Sequence, residues 1–310
     1  MSTSVESETD KMMFCASCGI GEADEIKLKK CTACYLVRYC GIKCQKDHWK
    51  QHKKECKKRA AELWDEILFK QPESNHFGDC PICCLPLSID PLKSGLYSCC
   101  CKIICQGCNY ANKKLEIGGK LQRKKCPFCR EVVPQKEEEH IERLMKRIEA
   151  NDPVALSQMG TKKLNDGDYT AAFEYWSKAV ALGDTNAHYQ LSTLYHHGQG
   201  VEKDENMERH HLTVAAIGGH SLARHNFGTL EGRNGQYNRA AKHFIIAAKL
   251  GRDESLKCVK ELYRTGHVSK EDFAAALRGH NAAIEATKSP QREEAYEFNE
   301  FVVERNRRWN

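Results

Sequence analysis

The chain has 310 residues, with 48 Lys or Arg against 42 Asp or Glu, a formal charge of +6, and 18 cysteines. No run reaches the roughly 18 consecutive apolar residues of a membrane span, and the polar opening MSTSVESETDK has no apolar signal core. These features lead us to expect no membrane span and no signal-led export, and so a soluble intracellular protein of the cytoplasm, the nucleus or both.

Residues 1–12 read as a disordered N-terminus. Seventeen of the cysteines lie at or before Cys129 and only Cys258 follows, so the chain holds at least two kinds of domain. The cysteines come as CxxC pairs among lysines, the pattern of metal ligands in a reducing compartment rather than of disulfide partners. Lys11 to Arg59 carries thirteen basic against five acidic residues. Without an arginine-rich stripe and interleaved aromatics, this is a solvated lysine surface before it is a nucleic-acid face.

Residues 13–58 form the first module. CASCGIGEADEIKLKKCTACYLVRYCGIKCQKDHWKQHKKEC supplies Cys15, Cys18, Cys31, Cys34, Cys40, Cys44, His52 and Cys56, enough for two closed tetrahedral zinc sites. The three-residue gaps Cys40 to Cys44 and His52 to Cys56 are helical, placing both side chains on one face. The order resembles the MYND zinc finger. That resemblance implies interleaved sites, Cys15, Cys18, Cys40 and Cys44 on one ion and Cys31, Cys34, His52 and Cys56 on the other. It also implies a binding module for proline-containing peptides, with Gln45 and Trp49 lining the groove. Closed sites give structure rather than metal chemistry.

A helical linker is expected over 59–76, where Leu63 with Ile67 and Trp64 with Leu68 keep helical spacing. Over 77–134 the metal pattern resumes: Cys80 and Cys83, the cluster Cys99, Cys100 and Cys101, then Cys105, Cys108, Cys126 and Cys129. This order resembles the RING finger, a second cross-braced fold with two zinc ions. By that resemblance Cys80, Cys83, Cys105 and Cys108 hold one ion, while Cys126 and Cys129 share the other with two ligands from the cluster.

The commonest RING spacing would put a ligand at Lys102, a poor one while it is a cation. The cluster must therefore give both ligands: Cys99 with Cys101, Cys99 with Cys100, or Cys100 with Cys101. The first pair keeps the one-residue gap of the motif and is the expectation adopted. The resemblance further implies recruitment of a ubiquitin-conjugating enzyme, with Ile82 and Pro127 as apolar contacts and Arg130 as the cation that bridges enzyme and ubiquitin. The tryptophan often found between the third and fourth pairs is missing.

Residues 135–150 predict a connecting helix with Ile141, Leu144, Met145 and Ile148 on one face. From 151 to 288 the sequence repeats: Asn151, Gly183, Gly219 and Gly251 fall into register at offsets of 32, 36 and 32 residues, the mark of stacked helical hairpins. The pattern, most specifically HHGQGVEKD, resembles the Sel-like branch of the tetratricopeptide repeats, which implies a groove that binds a peptide or protein. Eight histidines between His188 and His243 match no metal-ligand spacing. Residues 289–310 read as a charged tail or a last capping helix.

The expected fold is thus multidomain, with two small zinc-stabilised cross-brace modules followed by an all-α helical-repeat solenoid. The expected function is a protein-interaction adaptor holding about four structural zinc ions, with RING-type ubiquitin ligase activity. A non-enzymatic scaffold is the alternative, and a DNA-associated nuclear regulator a more distant one.

Overall fold

The computed structural model describes residues 14–22, 26–117 and 124–307. The expected disordered stretch 1–12 lies outside the described residues. The chain divides into two compact units, residues 1–70 and 71–310.

In the first unit, strands β1 (Lys29–Lys30) and β2 (Arg38–Tyr39) pair antiparallel, Lys29 opposite Tyr39. Helix α1 (Ile42–Leu68) follows and contains neither Gly nor Pro across its 27 residues. Of the helical linker expected over 59–76, residues 59–68 are therefore the end of the helix that carries Cys44, His52 and Cys56, and residues 69–76 are not helical. Leu68 is buried, whereas Trp64 and Ile67 remain exposed.

The second unit opens with a hairpin, β3 (Ser94–Tyr97) against β4 (Lys102–Cys105), followed by α2 (Gln106–Ile117). Helix α3 (Glu137–Glu149) carries acidic residues in its first turn and basic ones in its last, each complementing the helix dipole. Leu144 is buried and Ile141 and Ile148 partly so, but Met145, expected on the same face, is largely exposed.

Four helical hairpins come next: α4 (Pro153–Asn165) with α5 (Tyr169–Ala181), α6 (Thr185–His197) with α7 (Glu205–Ile217), α8 (Ser221–Arg233) with α9 (Tyr237–Lys249), and α10 (Asp253–Arg264) with α11 (Lys270–Ala286). Their starts keep the offsets read from the sequence. Asn151, Gly183, Gly219 and Gly251 all adopt positive φ, the bend that ends one helix before the next begins. The residue after each is the helix N-cap. Asp152 accepts from Val154 N–H at 3.0 Å, Asp184 from Ala187 N–H at 2.6 Å, and His220 Nδ1 from Ala223 N–H at 3.1 Å. In two of the hairpins a glycine on the first helix admits a large ring from the second. A Cβ on Gly160 would lie 2.5 Å from Trp176 Nε1, and one on Gly228 would lie 2.9 Å from the Phe244 ring.

The metal-rich part of this unit runs along these helix starts. His76 N–H donates to the Gly219 carbonyl at 3.2 Å, and its ring stacks on His220, which stacks in turn on Tyr189, with centroids 4.0 and 4.5 Å apart. Helix α12 (Pro290–Arg307) then returns to pack against α2.

Candidate metal centres

Five tight turns build the metal modules, and they share one geometry. In four of them the first cysteine of a CxxC pair accepts, through its carbonyl, the N–H of the residue four positions on: Gly19 to Cys15 at 2.9 Å, Tyr35 to Cys31 at 2.9 Å, Cys84 to Cys80 at 2.9 Å and Arg130 to Cys126 at 3.0 Å. That fourth residue always has positive φ, from 54° at Cys84 to 74° at Gly19. The turn aims the two thiols at one point and sends the next side chain away.

Four sets of ligand atoms result, each within 4.8 Å of one another: Cys15, Cys18, Cys40 and Cys44; Cys31, Cys34, His52 and Cys56; Cys80, Cys83, Cys105 and Cys108; Cys99, Cys100, Cys126 and Cys129. All-thiolate and three-thiolate, one-imidazole sets suit tetrahedral zinc and leave no open position. The protein holds multiple structural zinc ions.

The first two sets divide the eight ligands as the resemblance to the MYND finger implies. In the second of them the Cys34 sulfur lies 3.2 Å from His52 Nε2. The His52 ring stacks on His48 at 5.7 Å, and His48 Nδ1 pairs with the Tyr39 hydroxyl at 3.1 Å, an outer shell that fixes the ligand ring.

Electrostatics also call for a cation. Burial alone raises the Cys15 and Cys31 thiols, but backbone N–H groups from Cys18 and Cys40, and from Cys34 and Ala33, bring each down to about 6. Their neighbours move the other way: burial and the adjacent Cys31 and Cys34 push Cys56 up to about 12. In the second module burial and the nearby Cys126 and Cys129 hold Cys100 at about 12. Crowded thiols cannot ionise together until a divalent ion offsets their repulsion.

One expected ligand pair is corrected. Cys99 and Cys100, not Cys99 and Cys101, complete the last set, with the Cys99 sulfur 3.3 Å from Cys129 and the Cys100 sulfur 3.9 Å from Cys126. The cause is the fifth turn. Cys101 N–H donates to the Tyr97 carbonyl at 2.8 Å, and Cys101 takes φ of 51°, so it occupies the position that points away from the metal. Its buried thiol packs with Leu144, Ala155 and Met159 instead. Cys84, at the same position of its own turn, is exposed.

The other site candidates lie on the rims. Gln45 and Trp49 stand one turn apart on α1, with Trp49 41% exposed. Ile42, on the same face and exposed, extends that strip and had escaped the sequence reading. Ile82 is 41% exposed inside the Cys80 turn, and Pro127 sits half-buried inside the Cys126 turn beside Phe128, 44% exposed. Arg130 donates to Asn112 Oδ1 at 2.8 Å, and Asn112 donates to the Lys125 carbonyl at 3.1 Å, tying α2 to the last turn. Asn112, which spacing could not single out, is thus the α2 residue that meets Arg130.

Residues 15–56 match the MYND finger family, and residues 157–184, 185–220 and 222–251 match the Sel1 repeat. The chain carries a MYND finger and Sel1 repeats. It is 33% identical over 67 residues to the DAP3-binding cell death enhancer 1 of Rattus norvegicus, covering 22% of this chain and 13% of that protein. It is 63% identical over 30 residues to the histone-lysine N-methyltransferase ASHR1 of Arabidopsis thaliana, covering 10% of this chain and 6% of the other. The chain thus spans only a small part of the length of these relatives. A Sel1 repeat protein from Oxalobacter formigenes, known as a crystal structure, superposes with a TM-score of 0.42 at 22% identity over 56% of this chain and 81% of its own. No described helix is long and apolar enough to cross a membrane.

Proposed function

We propose that this protein is an adaptor whose second metal module acts as a RING-type ubiquitin ligase, recruiting a ubiquitin-conjugating enzyme while the MYND finger and the Sel1 repeats hold protein partners. The observation that carries the reading is the placing of Ile82, Pro127 and Phe128 on the outer faces of two metal turns, beside an arginine at the end of the second. Apolar side chains fixed there offer a rigid docking face for the conjugating enzyme. Arg130 then supplies a cation that holds the loaded complex in its reactive geometry, so the contribution to rate is positioning and charge stabilisation without a covalent intermediate. On the first module, Ile42, Gln45 and Trp49 offer the apolar, partly polar strip that a proline-containing peptide fits.

Single-turnover discharge of a thioester-loaded conjugating enzyme to free lysine tests the reading. Ile82→Ala should weaken enzyme binding by about 2 kcal/mol, the cost of removing most of a buried isoleucine. Arg130→Ala should leave binding and zinc content intact and slow discharge, since a contact made chiefly in the transition state changes rate more than affinity. No acceleration by the wild type with any enzyme of a broad panel would overturn the ligase reading.

The Arg130–Asn112 hydrogen bond favours a second reading, a non-enzymatic scaffold in which Arg130 serves the module's own fold. Asn112→Ala separates the two: it should speed discharge if the bond withholds the guanidinium, and only lower stability if the arginine is structural.

A further inference from the structure

Helix α12 follows the repeats, yet it ends their path by turning back onto the second metal module. Pro290 at its first position and the Ser289 hydroxyl, which accepts the Arg292 N–H at 3.3 Å, start it sharply. Its first two turns lie on α2 at the one place where α2 has no side chain: a Cβ on Gly107 would lie 2.8 Å from Arg292 Cγ and 3.0 Å from Arg292 Cα. Gln291 Nε2 donates to the Gly107 carbonyl at 3.1 Å, Lys114 pairs with Glu294, and the Tyr110 and Phe298 rings sit 5.0 Å apart.

This approach inserts Arg292, 1% exposed, into the module. One terminal nitrogen donates to the carbonyls of Pro86 at 2.7 Å and Thr287 at 2.8 Å; the other donates to the Leu85 carbonyl at 3.1 Å and to the Cys83 sulfur at 3.3 Å. None of these partners is a carboxylate. A guanidinium taken out of water without an anion beside it is costly, and carbonyl dipoles offset only part of that cost. The charge it needs is supplied by the metal centre: four thiolates on one divalent ion carry a net charge of −2, and Cys83 is one of the four.

We propose that Arg292 is an outer-sphere group of the Cys80, Cys83, Cys105 and Cys108 zinc centre, and that α12 is a wall of that module. The guanidinium offsets half of the excess charge and, by donating to Cys83, makes that thiolate a poorer target for protons and competing electrophiles. Outer-sphere donors of this kind typically set metal retention by about 10-fold to 100-fold. The inference rests on zinc occupancy alone and is independent of ligase activity.

Zinc release from the full-length protein to a chromogenic chelator, followed in time, tests it, with thiol alkylation mapped by mass spectrometry to show which centre opens. Arg292→Met should release one of the zinc ions about 10-fold to 100-fold faster, with Cys80, Cys83, Cys105 and Cys108 alkylated first. Glu294→Gln breaks the neighbouring ion pair without touching the guanidinium and should release zinc as the wild type does. An unchanged profile in Arg292→Met would overturn the proposal, and so would equal acceleration in Glu294→Gln, which would reduce the effect to helix docking. If Arg292→Met fails to fold, Arg292→Lys decides: it keeps the charge but not the fork, so a release rate equal to wild type would count against the sulfur bond and a faster one for it.

Discussion

The two metal modules have cores of the same make-up and different surroundings. In each, six buried residues form the central cluster and four of them are cysteines: Leu28 and Tyr39 complete the first, Leu87 and Ile104 the second. Among the described residues the second core is joined by the buried Cys101 against α3 and α4, a histidine stacked on His220 of the repeats, and an arginine from α12. In the second module the metal is one of several restraints, the others coming from the helices of its own unit.

Removing the metal breaks this comparison most severely. Chelation of the full-length protein should erase hydrogen-exchange protection over residues 14–58, because apparent binding energies of about 10–16 kcal/mol for small zinc folds exceed any core that a module of this size can build. Protection over residues 153–286 should survive, since the hairpins rest on stacked apolar faces. Equal loss in both regions would show that the repeats depend on zinc.

The triple cysteine sharpens the comparison on a smaller scale. Cys99→Ser or Cys100→Ser should each lose about one zinc ion in native mass spectrometry, because a hydroxyl does not replace a thiolate. Cys101→Ser should keep every ion and lower stability by about 1–3 kcal/mol, the cost of a hydroxyl in an apolar cluster, seen as a lower melting temperature. Zinc loss from Cys101→Ser would restore the ligand pair with the one-residue gap.

The smallest expected effect concerns pH. Burial holds His76 at about 4 and His220 at about 2, with Arg252 adding to both, so both rings stay neutral in the folded chain. Their folded values lie below the unfolded value, so their contribution is complete above about pH 6.5. It is lost as pH falls toward 4, where the unfolded chain takes protons that the folded one refuses. His76→Phe keeps the stack and removes one titration. Urea unfolding at pH 7 and pH 5 should show a smaller drop for this variant than for the wild type, and an equal drop would remove His76 from the account.

Spacing and register carried much of this structure in the sequence. Two-residue gaps, helical three-residue gaps and offsets of 32, 36 and 32 are local or periodic, and local geometry decides them. The expected boundary at residue 59 cut α1 in two, although no Gly or Pro interrupts residues 42–68, because the last metal ligand and not the helix was taken to end the module. The Cys99 and Cys100 pair was not legible, since spacing counts residues but does not record that the fifth turn puts Cys101 at positive φ. Met145 shows the limit of periodicity: it gives a face to the helix, and only the partner's breadth decides how much of that face is covered. Asn112 and Arg292 lie furthest beyond reach, because each acts on a residue brought near by tertiary folding.

Gly107 sets an order of events in time. Its missing side chain leaves a slot in the second module that is filled only when Gln291 and Arg292 arrive, 184 residues later for the Gln291 contact. At about 5–20 residues per second, a ribosome needs roughly 10–40 s to make that stretch. During this interval the Cys80, Cys83, Cys105 and Cys108 centre has all four of its thiols but lacks its cationic cover, so a nascent chain is at its most exposed to oxidation and zinc loss there until α12 emerges.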